Sequence, residues 1–269
     1  MSEEYQSAQS YQPSLFHFPP AAVQDSVRYY KFTKELKRYG TGSIIWGVIN
    51  VIFGANWMLS EYPLDVVTVL LGLTMIALGI YVLARPSSIG WYIDAGVFLT
   101  LAAWNLGNFA PESAAGTSNI SYQSLVFGII QVGFAILMIS KGSKFGTMHN
   151  KLQTLGSAHN WLQQEIKAID KAPDGARQDV VSVRVIQSGN KAVWRIIWGP
   201  GDFIFIHLKR GICYYVPRNT LSNAFAYQLL PAGNKVKIKA NLWGKNAKFI
   251  FKAPEFQKLR YWLSQPAPA

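Results

Sequence analysis

"KVKIKANLWGKNAKFIFK", residues 235–252, alternates in its first half: Lys235, Lys237 and Lys239 are separated by Val236 and Ile238, and Ala240 follows. A strand sends successive side chains to opposite faces. The stretch therefore reads as a strand with one ammonium face and one apolar face. "GKN" (244–246) turns the chain and "AKFIFK" (247–252) returns it. Upstream the period stays at two through "DVVSVRVIQ" (179–187), "KAVWRIIW" (191–198), "DFIFIHLKR" (202–210) and "ICYYVP" (212–217), separated by "SGN", "GPG" and Gly211. Six short antiparallel strands are expected, with a less regular stretch at 218–234. Pro254 then opens a closing helix whose apolar face is Phe256, Leu259, Tyr261, Trp262 and Leu263. The expectation for 178–265 is an antiparallel β-barrel or roll with that helix capping one open end.

Charge divides the 269 residues further. The net +12 splits into +1 over residues 1–40, −3 over 41–140 and +14 over 141–269. A nearly charge-free middle and a strongly basic end imply two different solvents. The middle holds four apolar stretches, at 42–59, 64–84, 91–110 and 122–139. Each is close to the ~20 residues a helix needs to cross a bilayer. The spacing predicts a four-helix transmembrane bundle over 41–140, and an α+β protein as a whole.

Basic residues fall on one side of each crossing. Lys31, Lys34, Lys37 and Arg38 precede the first stretch, Arg85 separates the second from the third, and Lys141, Lys144 and Lys151 follow the fourth. The loops at 60–63 and 107–121 hold no Lys or Arg. This asymmetry predicts a multi-pass protein of the plasma or inner membrane with both termini cytoplasmic. Residues 1–40 read as a disordered, basic cytoplasmic tail without a cleavable signal. The sequon at Asn119 falls in an outside loop.

Polar residues inside spans raise a functional question by default. Asp94, Asn50, Asn105 and Gln131 are the candidates. Asp94 is expected to pair with Arg85, and the amides to bond between helices. A proton or ion path through the same residues is the alternative, which would make the chain a small transporter or channel subunit. Gly47/Gly54 and Gly72/Gly79 are each seven apart and allow close helix approach.

Residues 141–177 read as an amphipathic linker helix. Leu152, Leu155, His159, Leu162, Ile166 and Ile169 are spaced 3, 4, 3, 4, 3. That heptad seam over 152–169 suits either a homodimer partner or the chain's own domain. "KAPDGARQ" (171–178) ends the helix.

One segment carries a resemblance. "WRIIWGPGDFIFIHLKRGICYYVPRNTLS" (194–222) runs strand, turn, strand into "YYVPRNTL", and "PEFQKLRYWL" closes the chain. This layout resembles the pleckstrin-homology-like superfold, in its bacterial form with transmembrane helices preceding the domain. A GRAM-like domain or a small β-roll would use the same strands. The resemblance implies a lipid-headgroup or protein-docking module without catalysis. Lys235, Lys237, Lys239, Lys245, Lys248 and Arg218 are the lipid- or partner-binding candidates. The lysine face looks at water or at anionic headgroups. Nucleic acid, suggested by Trp243, Lys245, Lys248 and Phe249, is disfavoured by the membrane tether.

No catalytic motif is present, and His17, His149, His159 and His207 are scattered. Neither enzyme activity nor a cofactor or metal is expected. Cys213, the only cysteine, reads as a small strand residue.

Overall fold

The computed structural model describes residues 14–58, 65–107, 122–199, 201–225, 234–242 and 245–265. The loop at 60–63, the sequon, Trp243 and the first thirteen residues of the expected tail lie outside the described residues. The protein is α+β, and two compact units divide it. One covers 32–151; the other unites 152–269 with residues up to Lys31.

The first unit is helical. It takes most of α1 (Pro20–Met58), then α2 (Asp65–Ala84), α3 (Ser88–Gly107) and nearly all of α4 (Tyr122–Gln153). Leu36, Val82, Trp91, Met138 and Phe145 are fully buried there. Glycines bring α1 and α2 together: a Cβ on Gly72 would lie 2.6 Å from the Gly47 carbonyl, and one on Gly79 2.6 Å from the Gly40 carbonyl. The expected Gly72/Gly79 seam is thus real, and the pair opposite it is Gly40/Gly47. Among the described residues one helical stretch, Leu125–Gln153, is long and apolar enough to cross a bilayer, and Val69–Ala84 is a shorter apolar helix. The expected four-span bundle is therefore not shown; in α3, Asp94, Asn105 and two Trp dilute the apolar character. The outer surface is nonetheless apolar. Among the described residues, every exposed large hydrophobic side chain except Val193, Tyr214 and Tyr261 lies between Ile45 and Ile139.

The second unit is built on one sheet. Its strands are β1 (Val180–Gln187), β2 (Asn190–Trp198), β3 (Asp202–His207), β4 (Ile212–Pro217), β5 (Lys235–Leu242) and β6 (Lys245–Lys252), in the order β4-β3-β2-β1-β6-β5. All pairings are antiparallel. The sheet is open, with β4 and β5 as its edges, so the expected barrel closure is corrected. Ser188 and Gly189 turn β1 into β2 with φ of 49° and 78°, the positive values that a two-residue hairpin matching strand twist requires.

One face of the sheet packs on α6 (Arg218–Phe225) and α7 (Ala253–Ser264). Its core joins Val181, Val183, Trp194, Phe203, Phe205, Val236, Ile238, Phe249 and Phe251 to Leu221, Phe225, Phe256, Leu259 and Trp262. Trp198 and Trp262 stack with centroids 5.5 Å apart. The helix α6 lies in the stretch expected to be irregular. Tyr261, expected on the apolar face of α7, is 61% exposed, because Phe256, Leu259, Trp262 and Leu263 keep the three- and four-residue spacing of one stripe and Tyr261 falls off it.

The opposite face packs on α5 (Ser157–Lys171) and on residues up to Lys31. Val180, Ile197, Ile204, Ile206 and Cys213 meet Leu15, Val23, Val27, Leu162, Ile166 and Ile169. Two expectations change here. The tail is not disordered throughout: a single 3-10 turn at Leu15–His17 precedes α1, which starts at Pro20. The continuous linker helix is also broken, because α4 ends at Gln153 and Gly156 adopts φ +58. The seam residues Leu162, Ile166 and Ile169 pack on the chain's own sheet. The sheet unit is accordingly larger than 178–265.

Gln24 fastens α1 to the edge strand β4. Its Nε2 donates to the Gly211 carbonyl at 2.9 Å, and its Oε1 accepts from the Cys213 N–H at 2.8 Å. The side-chain amide thus stands in for a missing strand. Gln24→Ala is expected to destabilise the sheet unit by about 1–2 kcal/mol and to speed labelling of the buried Cys213 thiol. Unchanged labelling kinetics would show that the latch carries no stability.

Candidate functional site

The uncovered part of the second face is cationic, and the register explains why. Lys237 lies opposite Ile250, which lies opposite Arg184, which lies opposite Val193. In the next row Lys239 faces Lys248, then Ile186 and Lys191. Lys235 faces Lys252, and beyond them Ser182 faces Arg195. Eight cations from four strands therefore share one face. Lys235, Lys237 and Lys239 are exposed while Val236 and Ile238 are buried, as the alternation requires.

Like charges placed directly opposite in a sheet repel. The Lys235/Lys252 pair has a counter-charge, because Lys252 donates to Asp174 at 2.8 Å and Arg195 reaches the same carboxylate at 3.1 Å. The Lys252 hydrogen bond holds the Asp174 carboxyl below its usual range, with smaller contributions from Ser182 and Arg195. The Lys239/Lys248 pair, with Lys191 in its row, has no acid partner among the described residues.

Two concavities open on this face. One, of about 460 Å³, is lined by Asp170, Arg184, Lys191, Arg195, Lys209 and Arg210, with His207 beside them. Asp170 is occupied, accepting from the Tyr30 hydroxyl at 2.8 Å. Arg195 is anchored as well, donating to the Ala172 carbonyl at 2.9 Å and to the Ser182 hydroxyl. The second concavity, of about 260 Å³, is lined by Arg184, Ser182, Asp174, Lys235 and Lys252. Arg184 lines both and is exposed. His207 is buried against Trp194, ring centroids 5.0 Å apart, and its Nδ1 has no hydrogen-bond partner. Burial, reinforced by Arg210, Lys209 and Lys31, pushes its pKa down to about 4.

The predicted residues are therefore divided. Lys235, Lys237, Lys239 and Lys248 come together on the cationic face. The side chain of Lys245 lies outside the described residues. Arg218 lies on α6, and its Nη2 donates to the Trp262 and Leu263 carbonyls at 2.8 and 3.2 Å, at the end of α7. Arg184, Lys191, Arg195, Lys209, Arg210 and Lys252 were missed. The turn "SGN" places Arg184 and Arg195 on one face by parity, but only the distant β1–β6 pairing brings them beside the lysines.

Within the helical unit, Asn105 Nδ2 donates to Gln131 Oε1 at 2.8 Å, a helix-to-helix bond of the expected kind. Asn50 Nδ2 points at the Met75 sulfur, 3.6 Å away. Asp94 does not pair with Arg85. It is 6% exposed and its Oδ2 has no partner, while Arg85 is exposed. No cluster of three or more His, Cys, Asp or Glu suits a metal among the described residues. Comparison with protein-family models, curated proteins and solved structures finds no match to the chain.

Proposed function

We propose that the protein is a non-enzymatic, multi-pass membrane protein whose basic sheet unit docks on anionic phospholipid headgroups, acting as an adaptor. The observation that carries this reading is the row Lys239, Lys248 and Lys191, three cations on one flat face without an acid partner among the described residues. Such an array is stable opposite water or opposite anions, and each Lys or Arg at an anionic surface contributes ~1 kcal/mol.

Membrane anchoring is supported by the exposed apolar side chains between Ile45 and Ile139. Contiguous apolar surface on that scale marks an interaction with lipid or protein. The packing of residues before Lys31 with those after Leu152 adds a topological argument. Both segments belong to one unit, so crossings between them come in even number. The four apolar stretches of the sequence would supply that number, and the Lys/Arg asymmetry favours a cytoplasmic sheet unit.

In nanodiscs, amide exchange of β5 is expected to slow in anionic lipid relative to neutral lipid, and to recover in high salt. Replacing Lys235, Lys237 and Lys239 with Gln removes about 3 kcal/mol of attraction and should equalise the two lipids. Equal exchange of the unaltered protein in both lipids sinks the reading.

A second reading, a small transporter or channel subunit, draws on one observation: the buried Asp94 carboxylate with an unpartnered oxygen. Flux through proteoliposomes that vanishes in Asp94→Asn would favour it, and absence of flux in the unaltered protein removes it.

A further inference from the structure

The helical unit contains a cavity of about 440 Å³ between α1, α2 and α3, within the usual range for a small-molecule site. Its polar groups are few. Asp94 comes from α3, and Asn50, Ser43 and Arg38 from α1. The remaining wall is apolar and aromatic, including Tyr39, Trp46, Phe98 and Met75. Asp94 is more than nine-tenths buried, and its Oδ2 has no hydrogen-bond partner. No ion pair joins it to Arg38, whose side chain is exposed. A buried carboxylate without a partner is among the most costly groups a protein can hold.

We propose that this cavity binds an organic ammonium group, with the Asp94 carboxylate as its counter-ion and the aromatic wall around its alkyl substituents. The donor set selects this chemistry over a bare metal ion. Calcium needs six to eight oxygen ligands and magnesium a full octahedron, and one carboxylate, one amide and two hydroxyls do not provide them. An ammonium needs one counter-charge and the faces of aromatic rings. The same unit already holds one such group. Lys141 Nζ lies 5.3 Å from the ring centroid of Tyr39 and 5.1 Å from that of Trp91, and it bonds Glu35 at 3.1 Å. Tyr39 is shared with the cavity wall. The ammonium can arrive on a free amine or on a lipid headgroup, and Arg38 would meet the phosphate of the latter.

The full chain in phosphatidylglycerol nanodiscs, which contain no amine, allows calorimetric titration with three probes. These are choline, its neutral isostere 3,3-dimethylbutanol, and a short-chain phosphocholine lipid. Choline is expected to bind and the neutral alcohol not. Tighter binding of the phosphocholine lipid than of choline identifies a headgroup as the source, and the reverse identifies a free amine. Asp94→Asn should weaken choline at least about tenfold. Gly42→Leu provides a second test that leaves Asp94 intact. Gly42 lines the cavity and a Cβ there meets nothing within 4 Å, so the added side chain is expected to occupy cavity space and abolish binding. The proposal is overturned if the neutral alcohol binds as tightly as choline. It is equally overturned if Asp94→Asn retains full affinity or if neither charged probe binds.

Discussion

Lowering the pH from 7 to 4.5 should destabilise the sheet unit by up to about 3 kcal/mol, and His207→Phe should remove most of that loss. His207 has a folded-state pKa of about 4 against an ordinary 6.5. A depressed histidine pKa means that the unfolded chain takes up the proton first. Its contribution is therefore complete above pH 6.5 and is lost as pH falls towards 4. A gap of one pH unit between the folded and unfolded pKa is worth about 1.4 kcal/mol. The window is specific, because Asp174 and Asp179 have carboxyls held below 3.8 and lose their contribution only at lower pH. Phenylalanine keeps a ring against Trp194 and has no proton to take up. The urea midpoint can be read from exposure of the single thiol, Cys213, with a pyridyl disulfide that reacts in acid. That thiol is buried, and burial pushes its pKa up to about 12, so the folded protein is slow to react. A curve equally steep in His207→Phe would assign the acid sensitivity elsewhere. The prediction also bears on docking. Lys209 and Arg210 help to hold His207 neutral, so an anion drawn into their concavity should raise its pKa and flatten the acid limb.

Local pattern was legible in the sequence, and distant pairing was not. Period-two alternation located the six described strands to within three residues, and "SGN" marked the β1–β2 turn, because both depend on neighbouring residues only. The order of the strands required β1 to pair with β6, more than sixty residues away. That pairing is what converts three lysines on an edge into a cationic face centred on Arg184. Arg218 shows the same limit: its charge suggested a ligand, and the carbonyls of α7 that it meets became visible only once the helix end was placed beside it. The heptad seam was read correctly as apolar and incompletely as to partner. Spacing shows that a stripe must be covered, and only packing shows that β1, β2 and β3 do the covering. Asp94 was expected to find Arg85 because the two are near in sequence. In the fold it turns into a cavity instead, and proximity along the chain carried no information about direction.

Gly72→Ala is expected to destabilise the helical unit by about 3 kcal/mol, near the upper end for overpacking, whereas Gly96→Ala should be neutral or stabilising by up to ~1 kcal/mol. The added atom is the same methyl carbon in both. At Gly72 it would sit 2.6 Å from the Gly47 carbonyl oxygen, 2.8 Å from Val51 Cγ2 and 2.9 Å from the Val51 N. Two of these are backbone atoms of α1, so a rotamer change cannot relieve the contact and the helices must separate. At Gly96 the same carbon meets nothing within 4 Å, and alanine's better helix propensity is the only effect left. In a bilayer or micelle no hydrophobic driving force holds two apolar helices together, so the close contact that glycine permits is itself the attraction. Thermal loss of monodisperse protein in detergent, followed by size exclusion, separates the two variants by sign as well as by size. Equal behaviour would mean that α1 and α2 do not cross at these carbonyls. Leu71 and Met75 flank Gly72 on α2, and both line the cavity with Asn50 of α1. Forcing the helices apart should therefore weaken choline binding in Gly72→Ala as well, while Gly96→Ala, with its added methyl in open space, should bind choline as the unaltered chain does.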